Sequence, residues 1–310
     1  MIWPLLIDLL LALGLLFLAW QALIGGTLFR GNVMFIVFGM VLALVWARLG
    51  SPDLAMAEAA IGAGVTGALV LIAYWRLKRV NLVEPQDPSP ARSRIALLVA
   101  VLSSVLVAGI GLAALASLEG ETTAARLMNE ALPGTGVGNP ITGVLLIFRN
   151  LDTLLEIAVV LAAYVAARAV LGTQRAALPA PSRTPLLRPL ITTVAPLTVV
   201  VAIYLLKAGG HIPGGAFQAS ATLAALGVML VLTGRLGPAS TAGVLMRTGL
   251  VAGTLVFCLV GLAMLLFGEP VLAIPGTWAV YLIETAMMVS IALALVLLFA
   301  GSEGMEKKRP

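Results

Sequence analysis

The sequence contains 310 residues, of which 61% are hydrophobic and 11% are charged, and its formal net charge is +5. Soluble domains carry roughly 25% charged residues, so this composition excludes an ordinary soluble protein and predicts an integral membrane protein. The single cysteine, Cys258, excludes a disulfide or a cysteine-bound iron–sulfur cluster within the chain. No nucleotide-binding loop or haem ligand pair is evident, so we expect neither an enzyme nor a bound cofactor.

About nine hydrophobic stretches follow one another along the chain, each close to the roughly 20 residues that a helix needs to cross a bilayer. They predict an all-α polytopic membrane protein. The stretches cover residues 2–23, 33–49, 54–75, 95–115, 152–171, 190–206, 217–232, 248–267 and 278–300. An apolar piece at 141–148 is too short to span the membrane and predicts a re-entrant or interfacial half-helix.

Two polar linkers divide the spans into groups of three, two and four. The linkers at 81–94 and 173–187 separate predicted units at 1–80, 95–172 and 188–310. Most of the 19 lysine and arginine residues fall on one side of this arrangement. The exceptions are Arg48, Arg126, Arg149 and Lys207. Because cations concentrate on cytoplasmic loops, the pattern predicts an outer N-terminus and a cytoplasmic C-terminus.

A glycine-rich break at 207–220, K-A-G-G-H-I-P-G-G-A-F-Q-A-S, separates the sixth and seventh spans. It contains the only histidine, His211. Glycine and proline end helices and permit unusual backbone conformations, and non-helical backbone in a membrane must be covered by protein or water. The break is therefore either a tight interhelical turn or the lining of a buried interface or wet cavity.

Acidic residues inside spans are costly to bury, at least about 2.5–3.5 kcal/mol each on insertion scales, so each is a candidate for an ion path. Glu58 lies about two turns into the third span, and Gly62 and Thr66 follow on the same helical face. Asp53 sits at the mouth of that span. It is either a helix-start residue placed beside Pro52 or a member of the path.

Arg149, Asp152 and Glu156 share one face at the start of the fifth span. They either form an internal salt bridge or leave one acid free, and the deeper Glu156 is then the better candidate for an exchangeable proton or cation. Glu284 lies inside the last span with no cation in its own segment, so its partner must come from another helix or subunit.

Lys207, at the end of the sixth span, either directs its ammonium group outward or contributes to the path. The candidate ion-path residues are thus Glu58, Thr66, Asp152, Glu156, Lys207, His211 and Glu284.

The break carries a resemblance to a known family. Residues 210–218, G-H-I-P-G-G-A-F-Q, resemble the G-H-x-x-P-G-G-x-F-Q signature of the MrpB (MnhB-type) subunit of multisubunit Na⁺/H⁺ antiporters. The family usually has glycine where this chain has Ala216, Ala219 and Ser220. With Asp53 and Arg149, the residues Gly210, Pro213, Gly214 and Gly215 of this signature are the predicted structural motif residues.

The other two units also resemble Mrp-type segments. L-G-S-P-D-L-A-M-A-E-A-A-I-G-A-G in the first unit is similar to MbhD, which also occurs near the C-terminus of the large MrpA subunit. N-P-I-T-G-V-L-L-I-F-R-N-L-D-T-L-L-E in the middle unit is similar to MbhE. Nearly the whole chain is covered, in the order MbhD, MbhE and MrpB, as in a natural fusion of small subunits.

The resemblance implies an accessory, ion-path-forming subunit that would work with other Mrp- or Mbh-type subunits, including a large complex I-like antiporter subunit, in the cell (inner) membrane. Na⁺ and H⁺ would be the transported ions. Two settings remain open: a stand-alone antiporter, or the antiporter module of a redox complex such as a membrane-bound hydrogenase. The alternative function is a structural membrane scaffold without an ion path of its own.

Overall fold

The structure, a computed structural model, describes residues 2–24, 26–79, 90–116, 123–171, 187–236 and 243–300. Most of the predicted linkers at 81–94 and 173–187 lie outside these residues, as does the segment after Ala300. Residues 90–94 of the first linker belong instead to a helix that begins at Pro90, a position where the missing N–H and fixed φ of proline are well tolerated.

The described residues form eleven helical elements. They are α1 (Ile2–Ile24), α2 (Leu28–Arg48), α3 (Pro52–Ala57, π-helical Glu58–Val65 and Thr66–Arg79), α4 (Pro90–Ala116), α5 (Thr123–Ala131 and the 3-10 turn Leu132–Thr135), α6 (Pro140–Gly143 and π-helical Val144–Phe148), α7 (Asn150–Leu171), α8 (Leu187–Ala208), α9 (Ala216–Leu232), α10 (Val244–Ala263 and the 3-10 turn Met264–Phe267) and α11 (Thr277–Ala300).

The predicted all-α membrane fold is confirmed. Within the described part of the chain, 8 helices are long and apolar enough to cross a membrane, and α9 is a shorter apolar helix of 17 residues. The short apolar piece at 141–148 forms α6, which meets the helical stretch Thr123–Thr135 at an angle of 97°. This bent pair is either a broken span or a re-entrant loop. The orientation of the termini stays a prediction.

The last helix, α11, is the centre of the bundle. It packs against α7, α9 and α10, and Ile283 and Met287 on α11 are almost fully buried. Small residues on its neighbours let the backbones approach closely, as expected where helices associate in a membrane. Gly253 of α10, for example, lies directly against Ser290 and the backbone of Met287.

One predicted span lies apart from this core. Every described side chain of α4 from Arg94 to Ala116 is exposed, and a Cβ atom placed on Gly109 or Gly111 would meet nothing within 4 Å. Packing within the described chain therefore leaves α4 with its apolar surface uncovered.

The bundle has two ends, each marked by an arginine contact. One end holds the turn between α2 and α3 and the glycine-rich hairpin between α8 and α9. Arg48 donates to Asp8 there at 2.8 Å, and we call this the hairpin end. At the other, Arg76 donates to the last carbonyl groups of α11, those of Phe299 and Ala300, at 2.9 and 3.1 Å. We call this the arginine end. A cation at a helix C-terminus also interacts favourably with the helix dipole.

Close packing between α9 and α11 predicts different effects for two glycine-to-alanine substitutions. A Cβ atom on Gly227 of α9 would overlap with Val296 of α11, so we expect Gly227→Ala to cost about 1–3 kcal/mol through overpacking. The matched control Gly109→Ala adds the same methyl group in open space. Thermal unfolding of the purified chain in detergent should show a lower midpoint only for Gly227→Ala. An equal midpoint for both variants would contradict the described packing of α9 on α11.

Candidate functional site

The glycine-rich break forms a compact hairpin between α8 and α9, residues 209–215. A Cβ atom on Gly209 would lie 2.5 Å from the backbone of Gly215, and one on Gly214 would lie 2.5 Å from the carbonyl oxygen of Leu205. Gly215 also has φ of +116°, which side chains with a Cβ atom rarely adopt. Glycine is therefore required at these three positions, which explains this part of the sequence motif.

The hairpin is held by residues just before and within α6. The carbonyl group of Gly210 accepts from the backbone N–H groups of Gly138 and Asn139 at 2.8 and 3.1 Å. The hydroxyl group of Thr142 donates to the carbonyl group of Gly209 at 2.5 Å. The side-chain amide of Asn139 donates to the carbonyl group of Ile212 at 3.2 Å. These bonds satisfy backbone groups that no helix can satisfy here.

Asp53, in the first turn of α3, also contacts the hairpin. We call the region where the hairpin meets Asp53, Asn139 and Thr142 the junction. The carboxylate of Asp53 accepts from the backbone N–H of Gly214 at 3.0 Å and from the side-chain amide of Asn139 at 3.4 Å. The side chain of Gln218 donates to the backbone carbonyl of Asp53 at 3.3 Å. Asp53 is at the start of a helix and is only 7% exposed. Its hydrogen bonds connect α3 to the hairpin and to the residue before α6.

Behind the junction lies a cavity of about 340 Å³, which we call the inner cavity. Its walls come from α3, α6, α7, the hairpin, α9 and α11. The charged side chains among its described lining residues are Asp53, Glu156 and Glu284, and none of the lining residues is basic. The structure thus brings together two of the predicted ion-path acids and one residue predicted as structural.

Glu284 has the most constrained environment of the three. It is 4% exposed, and its carboxylate interacts with the backbone N–H of Ala216, in the first turn of α9. Its second oxygen, Oε2, is buried without a hydrogen-bond partner among the described residues. Glycine at 215 permits this approach, because a Cβ atom there would lie 3.2 Å from Oε1. The N-terminus of α9 favours negative charge at this place.

The acids at the start of α7 have different partners. Arg149 forms an ion pair with Asp152, which was one of the two alternatives predicted from the sequence. Glu156 has no ion pair within the described residues; its helix position is exposed, and it lines the inner cavity. The arginine therefore neutralises the outer acid and leaves the deeper one available.

Glu58 and Thr66 lie away from the inner cavity. Residues 58–65 form a π-helix rather than the regular α-helix expected from the sequence, yet Glu58 and Gly62 remain in contact. The Glu58 carboxylate occupies the space that Gly62 and Gly39 of α2 leave free. Thr66 is half-buried.

Lys207 and His211 are both exposed at the hairpin end. The carbonyl group of Lys207 accepts from the hydroxyl group of Tyr281 at 3.4 Å, whereas its ammonium group takes no part in the inner cavity. His211 and Pro213 line a second cavity of about 320 Å³, which we call the vestibule. Its walls come from residues 50–54, 139–141 and 211–213.

Three polar residues of the junction were not predicted as site residues: Asn139, Thr142 and Gln218. One signal for Asn139 was present, because Asn-Pro before an apolar run is typical of a helix start. Asn139 indeed accepts from the backbone N–H of Ile141 at 3.0 Å. Its contacts with the hairpin involve residues far away in sequence, and no local pattern indicates them.

Comparison with known families finds a different family match at each end of the chain. Residues 13–79 match the MbhD family model, which is described as one of the subunits of MBH. Residues 186–305 match the model described as "Domain related to MnhB subunit of Na+/H+ antiporter". The chain is a fusion of domains from Mrp-type antiporter subunits. The resemblances seen in the first and last units are thereby confirmed, while the MbhE resemblance and the unit boundaries stay predictions.

Known structures add the fold of the whole chain. A chain in the structure of the Mrp complex from Dietzia sp. DQ12-45-1b matches with a TM-score of 0.77 and 20% sequence identity. The match covers 97% of this Mrp-type fusion but only 35% of the Dietzia chain. No curated protein matches at a significant level. The shared architecture therefore extends through all three predicted units of this multi-pass membrane protein.

We predict that the hydrogen bonds of the junction hold the last unit to the rest of the chain when the linker at 173–187 is cut. A protease site inserted within residues 172–186 would be cut after purification, and we expect the two pieces to stay together in mild detergent. Thr142→Val should weaken their association by about 1–3 kcal/mol, because the buried carbonyl group of Gly209 loses its partner. The control Thr248→Val removes an exposed hydroxyl group with a local bond. Equal dissociation of both variants would show that the Thr142 bond contributes nothing.

Proposed function

We propose that this chain is an accessory subunit that forms part of the ion path in a Mrp-type Na⁺/H⁺ antiporter assembly. The inner cavity would be a section of that path, with Glu284 and Glu156 as the groups that exchange protons or cations. The proposal rests on the two matched domain families together with the chemistry of the cavity.

The observation that carries the proposal is the environment of Glu284. A carboxylate inside a membrane is retained only where a proton, a cation or a buried donor compensates for its lost hydration. The N–H of Ala216 compensates for part of this cost, but Oε2 has no hydrogen-bond partner among the described residues. A proton or a monovalent cation in the inner cavity would supply the missing partner.

Glu156 is the second exchange group of the proposal. It lies on α7, across the inner cavity from α11, and is free of the Arg149–Asp152 ion pair. Two acids on facing helices can pass a proton or cation between them when water fills the space. Glu58, Thr66, Lys207 and His211 would act outside this section or not at all, since they do not line the inner cavity.

The proposed partners are other Mrp- or Mbh-type subunits, including a large complex I-like antiporter subunit, in the cell (inner) membrane. The exposed helix α4 and the partial coverage of the Dietzia chain, 35%, are both in keeping with a larger assembly. The matched families include one from MBH and one from a Na⁺/H⁺ antiporter, so the assembly is either a stand-alone antiporter or the antiporter module of a redox complex. Mass spectrometry of the native complex would distinguish the two by its hydrogenase-type subunits.

The alternative function, a scaffold without an ion path, predicts a different role for the buried acid. Under that function Glu284 would pair with a cation of a neighbouring subunit. Removing its charge would then leave the partner charge buried and alone, which typically costs about 3–5 kcal/mol, and the complex would be lost.

Replacement of Glu284 by glutamine therefore tests the proposal. Glu284→Gln keeps the shape of the side chain but can neither release a proton nor hold a cation by charge. Cation-driven ΔpH in everted vesicles should fall to the level of vesicles that lack the complex, while the amount of complex on a native gel stays unchanged. The control Glu269→Gln changes an exposed acid in the turn between α10 and α11 and should leave transport intact. Full transport by normally assembled Glu284→Gln would refute the path, and loss of the complex would favour the scaffold.

A further inference from the structure

The two cavities lie on either side of one thin wall. The vestibule is at the hairpin end, beside the exposed His211, and the inner cavity, which also opens beside the exposed Glu156, extends to the buried Glu284. The residues that line both are Asp53, Leu54 and Ile141. A path from the hairpin end to Glu284 through these two spaces has to pass this wall.

The polar side chain in that wall is Asp53, and its contacts are of two kinds. The bond from the backbone N–H of Gly214, at 3.0 Å, is of normal length, whereas the bond from the Asn139 amide, at 3.4 Å, is long and correspondingly weak. Both donors are neutral, and no described lysine or arginine forms an ion pair with Asp53. The carboxylate is therefore held in the wall by bonds that a cation or water can replace.

We propose that the vestibule is the access route by which protons or monovalent cations reach the inner cavity from the hairpin end, and that Asp53 closes this route until it exchanges its hydrogen-bond donors for an ion. This inference rests on the proposed function and assigns Asp53 a positioning role in addition to its structural one. Its bonds to Gly214 and Asn139 keep the wall closed at rest.

The chemistry of the two spaces supports this direction of access. In the vestibule, Asp53 and His211 are the ionisable lining residues, and Asn139 supplies a further polar side chain. Two further carboxylates, those of Glu156 and Glu284, line the inner cavity. No basic residue lines the inner cavity, so a cation that passes Asp53 meets only carboxylates and neutral groups.

A cysteine placed behind the wall reports on the route directly. Cys258→Ala removes the natural thiol, and Ala57→Cys introduces one on α3 that lines the inner cavity. A small, charged, membrane-impermeant thiol reagent is applied to the intact complex in right-side-out and in everted vesicles. We expect the reporter to react slowly, and only from the side that carries the hairpin end.

Two further variants test the wall and the vestibule separately. Asp53→Ala removes the bonds to Gly214 and Asn139 and should raise the reaction rate several-fold. The control Asp8→Ala removes an exposed acid at the same end and should leave the rate unchanged. Ile212→Trp places a bulky side chain at an exposed position of the vestibule and should slow the reaction, so the route remains testable if Asp53→Ala fails to assemble.

The outcomes separate this inference from the proposed function, because labelling does not require transport. Reaction from the arginine end, or a rate that neither Asp53→Ala nor Ile212→Trp changes, would overturn the access route even if Glu284→Gln abolishes transport. Labelling as expected, combined with full transport by Glu284→Gln, would instead refute the proposed function and leave the route standing.

Discussion

The structure depends on how the hairpin at 209–215 satisfies its backbone inside a membrane. Its glycines allow the chain to reverse within a few residues, but the turn leaves carbonyl and N–H groups that neither α8 nor α9 can pair. An unpaired backbone group in hydrocarbon costs several kcal/mol, so partners have to come from elsewhere. They come from Asn139 and Thr142 near α6 and from the carboxylate of Asp53 on α3. The need to pair these backbone groups therefore holds the hairpin, α3 and α6 together.

The same junction creates the environment of the buried acid. Because Gly215 begins α9 directly beside α11, the first N–H groups of α9 meet Glu284, and the helix dipole favours its charge. The compensation is incomplete, since one carboxylate oxygen has no donor. Such incomplete compensation is tolerated in natural proteins chiefly where a ligand or ion completes it, and this is why the inner cavity, rather than the exposed Lys207 or His211, carries the functional argument.

Features that depend on local sequence were predictable. Apolar length gave the spans, glycine and proline gave the hairpin, and the lack of a nearby cation identified Glu284 as a deep acid in need of a partner. Features that depend on distant contacts were not. Asp53 and Gly214 are 161 residues apart, so their bond has no local pattern, and Asp53 could be predicted only as a helix start. The π-helix at 58–65 packs against α2, and the Glu58 carboxylate lies against Gly39 and Gly62 rather than among the lining residues of the inner cavity. The amphipathic helix α5 lacked a hydrophobic stretch and was not predicted as an element.

The central claim is that Glu284 exchanges a proton for a cation within the inner cavity. Its most direct test is modification of the intact complex by a hydrophobic carbodiimide, which reacts with protonated carboxyl groups, followed by mass spectrometry of the peptide that contains Glu284. We predict modification of Glu284 that Na⁺ slows in a concentration-dependent manner, because a bound cation displaces the proton. The same rate of modification at all concentrations of Na⁺, K⁺ and Li⁺ would contradict the claim.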